Sequence, residues 1–343
     1  MTDTDIAAPV RPQRIVVLGT GGTIAGRARQ PGDNIGYTAG EVGVAQLLAS
    51  AGVLQDGTLA LEVEQVAQVD SKDMSLALWQ QLAARCLHWL AQDDVDALVI
   101  THGTDTLEET AFFLHTVLQP RKPVVMACAM RPATALVPDG PQNLLDAVAV
   151  ARTAGAQGVL VVCAGSVHGA REVQKLHSYA TDAFGSHPAG VLGVVEEGRA
   201  RRLRPWPGSA DDLALHPSPW PDAPALPVLP VLQRRVLETH SAAWPRVEVV
   251  LSYAGANGLL VDALVAQGVQ GLVVAATGNG TVHADLQAAL LRASAAGVVV
   301  RRATRCAFGR VLPTAADALT DSAGLQPLKA RIALMLQLLA EAP

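Results

Sequence analysis

Seven short aliphatic runs recur along the chain: "RIVVLG", "DALVITHG", "KPVVMACAM", "GVLVVCAG", "RVEVVLSY", "GLVVAAT" and "GVVVRRA". They are continuous rather than alternating. A strand of that kind offers apolar side chains to both faces, so it is buried only in a sheet covered by helices on both sides, which is the habit of parallel sheets. Between the runs, Leu78, Leu82, Cys86 and Trp89 or Leu90 recur at helical spacing. Leu144, Val148 and Ala151 do the same, with Leu145 widening their face. The expected class is α/β, with a large mostly parallel sheet flanked by helices and a smaller α/β unit after it.

The chain's 343 residues are 50% hydrophobic and 17% charged, enough apolar content for two cores. Between Pro205 and Pro245 the composition changes, with nine prolines and little periodicity beyond "PVLPVLQRRV", which reads as one strand. The expected division is an N-terminal domain over 1–204, a proline-rich linker over 205–245 and a C-terminal domain over 246–343. A net charge of −5 gives no footprint for nucleic acid, and the basic cluster "RARRLR" at Arg199 to Arg204 reads as a solvated strand or turn edge. Cys86, Cys128, Cys163 and Cys306 lack C-x-x-C spacing, so neither disulfides nor zinc follow, and no other metal motif occurs. No apolar run spans a bilayer, and "MTDTDIAAPVRPQRI" lacks the basic start and apolar core of a signal peptide, so a cytoplasmic location is expected.

"GTGGTIAG", Gly19 to Gly26, follows the first strand. Such a turn can cradle a phosphate, expose a nucleophile or simply reverse the chain. A dinucleotide fingerprint started at Gly19 puts Ile24 where a third glycine or alanine belongs. A P-loop laid from Gly21 ends in Arg27 and Ala28 where lysine and a hydroxyl belong. Presentation of a hydroxyl, by Thr20 or Thr23, is left beside a plain structural turn.

Ligands of open parallel sheets bind beyond the carboxyl ends of the strands. Those ends carry Thr23, then Ser71 and Asp73 in "VDSKDM", then His102, Thr104 and Asp105 in "THGTDTLEET", and Lys175 on an irregular stretch. A threonine hydroxyl needs a base or a proton relay to act as a nucleophile, and Thr104, Asp105 and Lys175 offer one. Tyr37, in a glycine-flanked loop, is placed to close over Thr23. Each residue also has a plainer reading. Thr104 and Asp105 suit a helix cap, Ser71 and Asp73 suit a cap for the helix holding Trp79, and Lys175 suits a solvated loop.

Taken together, "GTGGTIAG", "GYTAGEVGV", "VDSKDM", "ITHGTDTLEETAFFL", "KPVVMACAMRP", "DGPQNLLDAV" and "GNGTVHADL" resemble the bacterial-type L-asparaginases in order and over nearly the whole chain. The resemblance implies hydrolysis of L-asparagine to L-aspartate and ammonia through a threonine acyl-enzyme, with no cofactor and no metal. It implies Thr23 as nucleophile assisted by Tyr37, and Thr104, Asp105 and Lys175 as a second group for proton transfer. It further implies that Ser71 holds the substrate α-carboxylate and Asp105 its α-ammonium. The Thr104 N–H would belong to an oxyanion hole, and the Ala129 carbonyl would accept the departing nitrogen. A homotetramer built as a dimer of dimers is implied as well, with no membrane or nucleic-acid partner.

Three positions depart from the pattern. Lys72 follows Ser71 where many relatives carry glutamine, which bears on the carboxylate contact. Gly255 falls where periplasmic members often have asparagine, and "RRATRCAFGRVLPTAADA" has no glutamate matching the one that reaches a neighbour's ammonium pocket. The alternatives are a glutaminase-asparaginase of broader amide specificity and a catalytically silent amino-acid-binding module. A tRNA-dependent amidotransferase subunit and a nicotinamide dehydrogenase fit less well.

Overall fold

The computed structural model describes residues 11–30, 32–53, 57–208 and 229–342. Strand β1 (Gln13–Gly21) runs into a small antiparallel ribbon, β2 (Arg27–Ala28) with β3 (Tyr37–Thr38). Next come β4 (Leu59–Val69), β5 (Ala97–Thr101), β6 (Pro123–Ala127) and β7 (Gly158–Cys163). These four and β1 are parallel, in the order β4-β1-β5-β6-β7. The sheet is extended antiparallel by β8 (Ser166–Gly169), while β9 (Gln174–Lys175) and β10 (Phe184–Gly185) pair separately. Strands β11 (Gly193–Glu196) and β12 (Arg199–Arg202) complete eight strands. β12 is the edge, and the arginines it carries are exposed there.

The aliphatic runs divide their side chains as their continuity requires. Val16, Leu18, Leu98, Ile100, Val124 and Met126 enter one core with α2 (Leu76–Leu90) and α3 (Leu107–Leu118). Ile15, Val17, Ala97, Val99, Val125 and Ala127 enter the other with α1 (Val44–Ser50) and α4 (Gly140–Ala151). Burying one such side chain fully contributes roughly 1.5–3 kcal/mol before chain entropy is set against it. Helix α2 turns Trp79 inward more fully than Leu78, and Leu145 on α4 is left outside the buried face.

The described part of "PVLPVLQRRV", 229–236, is helical rather than a strand. From Leu229 to Glu238 it forms α5, which buries Leu232 and Val236, one turn apart, and leaves Arg234 between them outward. Pro230 sits in the first turn, where a missing N–H costs the helix nothing. Of the expected linker, 209–228 lies outside the described residues.

A second, parallel sheet follows, β13 (Val247–Leu251), β14 (Gly271–Ala276) and β15 (Val299–Thr304), with α6 (Leu259–Ala266) and α7 (Ala284–Ala295). Its other face is covered by α8 (Pro327–Glu341). That last helix also packs on α3, so Ile332, Leu336 and Leu339 share one continuous core with Phe113, Leu114 and Val117. Phe113 stacks on Trp79 at 4.9 Å and tilts against Trp244 at 6.1 Å, joining the two sheets through aromatic contact.

Candidate active site

The carboxyl ends of β1, β4 and β5 converge on a very close backbone contact. Gly22, just past β1, has φ +81°, and a Cβ built there would lie 2.2 Å from both the Cα and N of Gly103. Only a residue without a side chain lets these two strand ends meet, which explains the glycine density after β1. Thr23 opens the short 3₁₀ turn Thr23–Ala25 and is buried, and its Oγ1 lies 2.7 Å from the Tyr37 hydroxyl. Tyr37 stands on β3 of the ribbon rather than in a loop, and its ring fills the space that a Cβ on Gly26 would need.

On the far side of the glycine contact, Ser71 is buried in a 3₁₀ turn after β4. Its Oγ accepts from the Asp105 N–H at 3.1 Å, and its carbonyl accepts from the Thr106 hydroxyl at 2.7 Å. Lys175 Nζ donates to Thr104 Oγ1 at 2.9 Å and to Asp105 Oδ1 at 2.6 Å. The capping readings do not hold here. Thr106 is the first residue of the α3 cap, no side chain caps that helix, and α2 is capped by Ser75 accepting from Leu78 N–H at 3.2 Å. Thr104, Asp105 and Ser71 are therefore spent on one another and on Lys175, which lies on β9 rather than on an irregular stretch.

Ala129 is fully buried just beyond β6, near Ile24 across Gly140. Lys72 points elsewhere: its side chain is exposed and pairs with Asp73. Gly255 adopts φ +79° with open space around a notional Cβ, a backbone that asparagine also tolerates. Two contacts were not singled out from the sequence. The Thr106 hydroxyl and the Glu108 carboxylate, which accepts the Lys175 N–H at 2.7 Å, both hold the set together. The quoted "THGTDTLEET" contains both residues, but only spatial proximity to Ser71 and Lys175 gives them a task. A concavity of about 1150 Å³ runs along α4 and the β11–β12 hairpin and touches none of the site residues.

Burial pushes the Tyr37 phenol above its ordinary value, opposed by the bond to Thr23, and the carboxylates of Asp70 and Asp105 push the same way as burial. It is a neutral hydroxyl at neutral pH, able to pass a proton rather than to act as a phenolate. Burial also lowers two imidazoles to about 4, His102 beside the site and His168 on β8, the latter helped by the cation of Lys329. His102 Nδ1 lies 2.7 Å from the Gly103 carbonyl, an acceptor only, so Nδ1 carries the proton.

The histidines make the fold acid-sensitive. A histidine that titrates near 4 when folded and near 6.5 when unfolded binds more protons unfolded between those values. Its contribution is intact above pH 6.5 and is lost as pH falls to 4, at most about 3 kcal/mol each. The carboxyls of Glu108, Glu109 and Asp146, raised by burial, act in the opposite direction. His168→Asn, whose side-chain amide falls near the place of Nδ1 and can keep the bond to Ser186, isolates one imidazole. Urea unfolding from pH 7 to 4 is expected to show a shallower loss of stability in that variant than in the parent. Parallel curves would remove His168 from the account.

Comparison with known proteins gives the same fold and family. Residues 14–206 match the asparaginase N-terminal domain, and residues 246–342 match the glutaminase/asparaginase C-terminal domain. L-asparaginase 2 of Bacillus subtilis is 35% identical over 94% of this chain and 82% of its own length. The glutaminase-asparaginase of Pseudomonas fluorescens is 33% identical over 97% of this chain and 88% of its own. The crystal structure of a probable cytoplasmic L-asparaginase from Campylobacter jejuni superimposes with a TM-score of 0.82 at 34% identity, covering 95% of both chains. The fold and the matched domains define an α/β amidohydrolase. The chain belongs to the asparaginase family.

Proposed function

We propose that this chain hydrolyses the side-chain amide of L-asparagine to L-aspartate and ammonia. The observation that carries the reading is the placement of Lys175 Nζ between Thr104 Oγ1 and Asp105, on the opposite side of the Gly22–Gly103 contact from the Thr23–Tyr37 pair. Thr23 Oγ1 attacks the carboxamide carbon. Its proton passes through the neighbouring hydroxyls to the amide nitrogen, the C–N bond breaks, and ammonia leaves toward the Ala129 carbonyl. Water then adds to the threonine ester, gives up its proton through Thr104 and Lys175, and releases aspartate. The Thr104 N–H, which donates to no other group among the described residues, supports the oxyanion in both steps. Ser71 meets the α-carboxylate, and the half-exposed Asp105 meets the α-ammonium. Lys72 joins this set through its backbone position beside Ser71 rather than through its ammonium.

The assay is ammonia release by the purified chain with L-asparagine and L-glutamine at neutral pH. The expected result is turnover of asparagine with the larger kcat/KM. Equal or greater kcat/KM on glutamine would shift the reading to the broader specificity named in the Pseudomonas relatives, since one methylene changes discrimination only modestly. Binding of aspartate without turnover would leave an amino-acid-binding module.

We read residues 1–204 as the catalytic domain and 246–343 as its C-terminal companion, with 205–245 between them. A cytoplasmic location is the reading supported by the Campylobacter jejuni protein, whereas the Haemophilus influenzae relative is described as periplasmic. Among the described residues no helix is long and apolar enough to cross a membrane. The assembly proposed is a homotetramer of paired dimers, which light scattering on the purified chain tests.

A further inference from the structure

Lys175 reaches the site on the end of a four-carbon stem from a strand of two residues, so the position of its Nζ depends on where its backbone is held. That backbone is held at two points. Glu108, in the first turn of α3, accepts the Lys175 N–H at 2.7 Å. Thr104 and Asp105 lie in the short turn that leads into the same helix, so both ends of the Lys175 contact are tied to α3. Lys329, on α8, which packs on α3, donates to the Arg171 carbonyl at 2.9 Å and to the Val173 carbonyl.

Lys329 is 3% exposed. Burial lowers its ammonium to about 8, while the Glu108 and Glu172 carboxylates pull it back up. The same cation steadies the partly buried Glu108, whose carboxyl burial alone would push upward. A buried lysine aimed at two main-chain carbonyls and electrostatically coupled to a carboxylate is a costly arrangement, and an apolar residue would fill the space at less cost. Its bonds all fall on the segment that leads into Lys175.

We propose that Glu108 and Lys329 are positioning residues for Lys175, fixing the 171–175 backbone so that Nζ rests between Thr104 and Asp105, and that α8 thereby takes part in the chemistry of the larger sheet. The claim rests on the amidohydrolase reading above for its kinetic consequence, but not for its geometric one. Catalytic groups must be held to within about 0.5 Å, so a small retreat of this backbone is enough to weaken the relay.

Two variants separate positioning from mere stability. Glu108→Asp keeps the charge but draws the acceptor back by one methylene, and Glu108→Gln removes the charge but keeps an oxygen at the same reach. With L-asparagine, Glu108→Asp is expected to lower kcat about tenfold with KM within threefold, and Glu108→Gln is expected to stay within threefold of the parent in both. Lys329→Met is expected to follow Glu108→Asp. Crystal structures of the variants provide a readout independent of turnover, with the Lys175 Nζ to Thr104 Oγ1 separation expected to exceed 3.5 Å in Glu108→Asp and to remain near 2.9 Å in Glu108→Gln. An unchanged kcat in folded Glu108→Asp, or an unchanged separation there, would overturn the proposal. A parent that releases no ammonia would defeat the reading of the reaction, while the separation would still decide the positioning.

Discussion

Thr23→Ala is expected to cut ammonia release from L-asparagine by about a thousandfold or more, because it removes the atom proposed to bond to the substrate carbon and leaves no neighbour at that place to substitute for it. Tyr37 is 2.7 Å from Thr23 Oγ1 and stays protonated through burial, so it is a weak replacement nucleophile. The backbone should be unaffected. Thr23 heads a short turn whose closing bond, Gly26 N–H to the Thr23 carbonyl, involves no side chain. Ser71 and Asp105 lie beyond the glycine contact and owe nothing to the Thr23 hydroxyl. Calorimetric titration should therefore show L-aspartate binding within a few-fold of the parent while the ammonia assay falls to background. A variant retaining a tenth of the parental kcat would assign the nucleophile elsewhere, with Thr104 next in line.

Gly22→Ala should damage stability and activity together. The new methyl would sit 2.2 Å from Gly103 Cα and N and 2.9 Å from the His102 carbonyl carbon, all backbone atoms at the end of a buried strand. Side-chain rotation cannot relieve that overlap, so one strand end must move. Overpacking of this kind together with a left-handed conformation costs about 3 kcal/mol or more. Displacement of Gly103 carries Thr104 with it. Gly52→Ala is the control, since Gly52 has φ +67° but nothing within 4 Å of its notional Cβ. It should cost about 1 kcal/mol, the conformational penalty alone, and leave turnover intact. Urea midpoints for the two variants give the comparison. If they lost the same stability, contact between the strand ends would not be what demands glycine at position 22.

Where the sequence was transparent and where it was opaque follows from the range of the forces involved. The aliphatic runs announce buried strands because both faces of each run must find cover, and Ile15 and Val17 do separate from Val16 and Leu18 into opposite cores. The helix at Leu229 was hidden because three prolines around it, Pro224, Pro227 and Pro230, suggest extended chain, whereas what decides the matter is the pairing of Leu232 and Val236 against α8 and α3. Thr104, Asp105 and Ser71 look locally like caps, and local sequence cannot show that Thr106 and Ser75 start those helices instead. Tyr37 and Lys175 read as loop residues since strands of two residues carry no periodicity to detect. Glu108 and Lys329 were the least visible. A lysine at the start of an amphipathic helix ordinarily faces water, and only the tertiary approach of the 171–173 carbonyls turns Lys329 inward.

The shared core under α8 has a bearing on how the molecule comes into being. Phe113, Leu114 and Val117 on α3 wait for partners, Ile332, Leu336 and Leu339, that lie more than two hundred residues further along the chain. During synthesis at roughly 5–20 residues per second, a ribosome would hold the complete larger sheet for many seconds with that face of α3 uncovered. Lys175 would meanwhile lack its grip from Lys329. The nascent chain thus exposes an adhesive apolar surface in the same interval in which its reactive groups are still slack, and both conditions end together when the final helix emerges and docks.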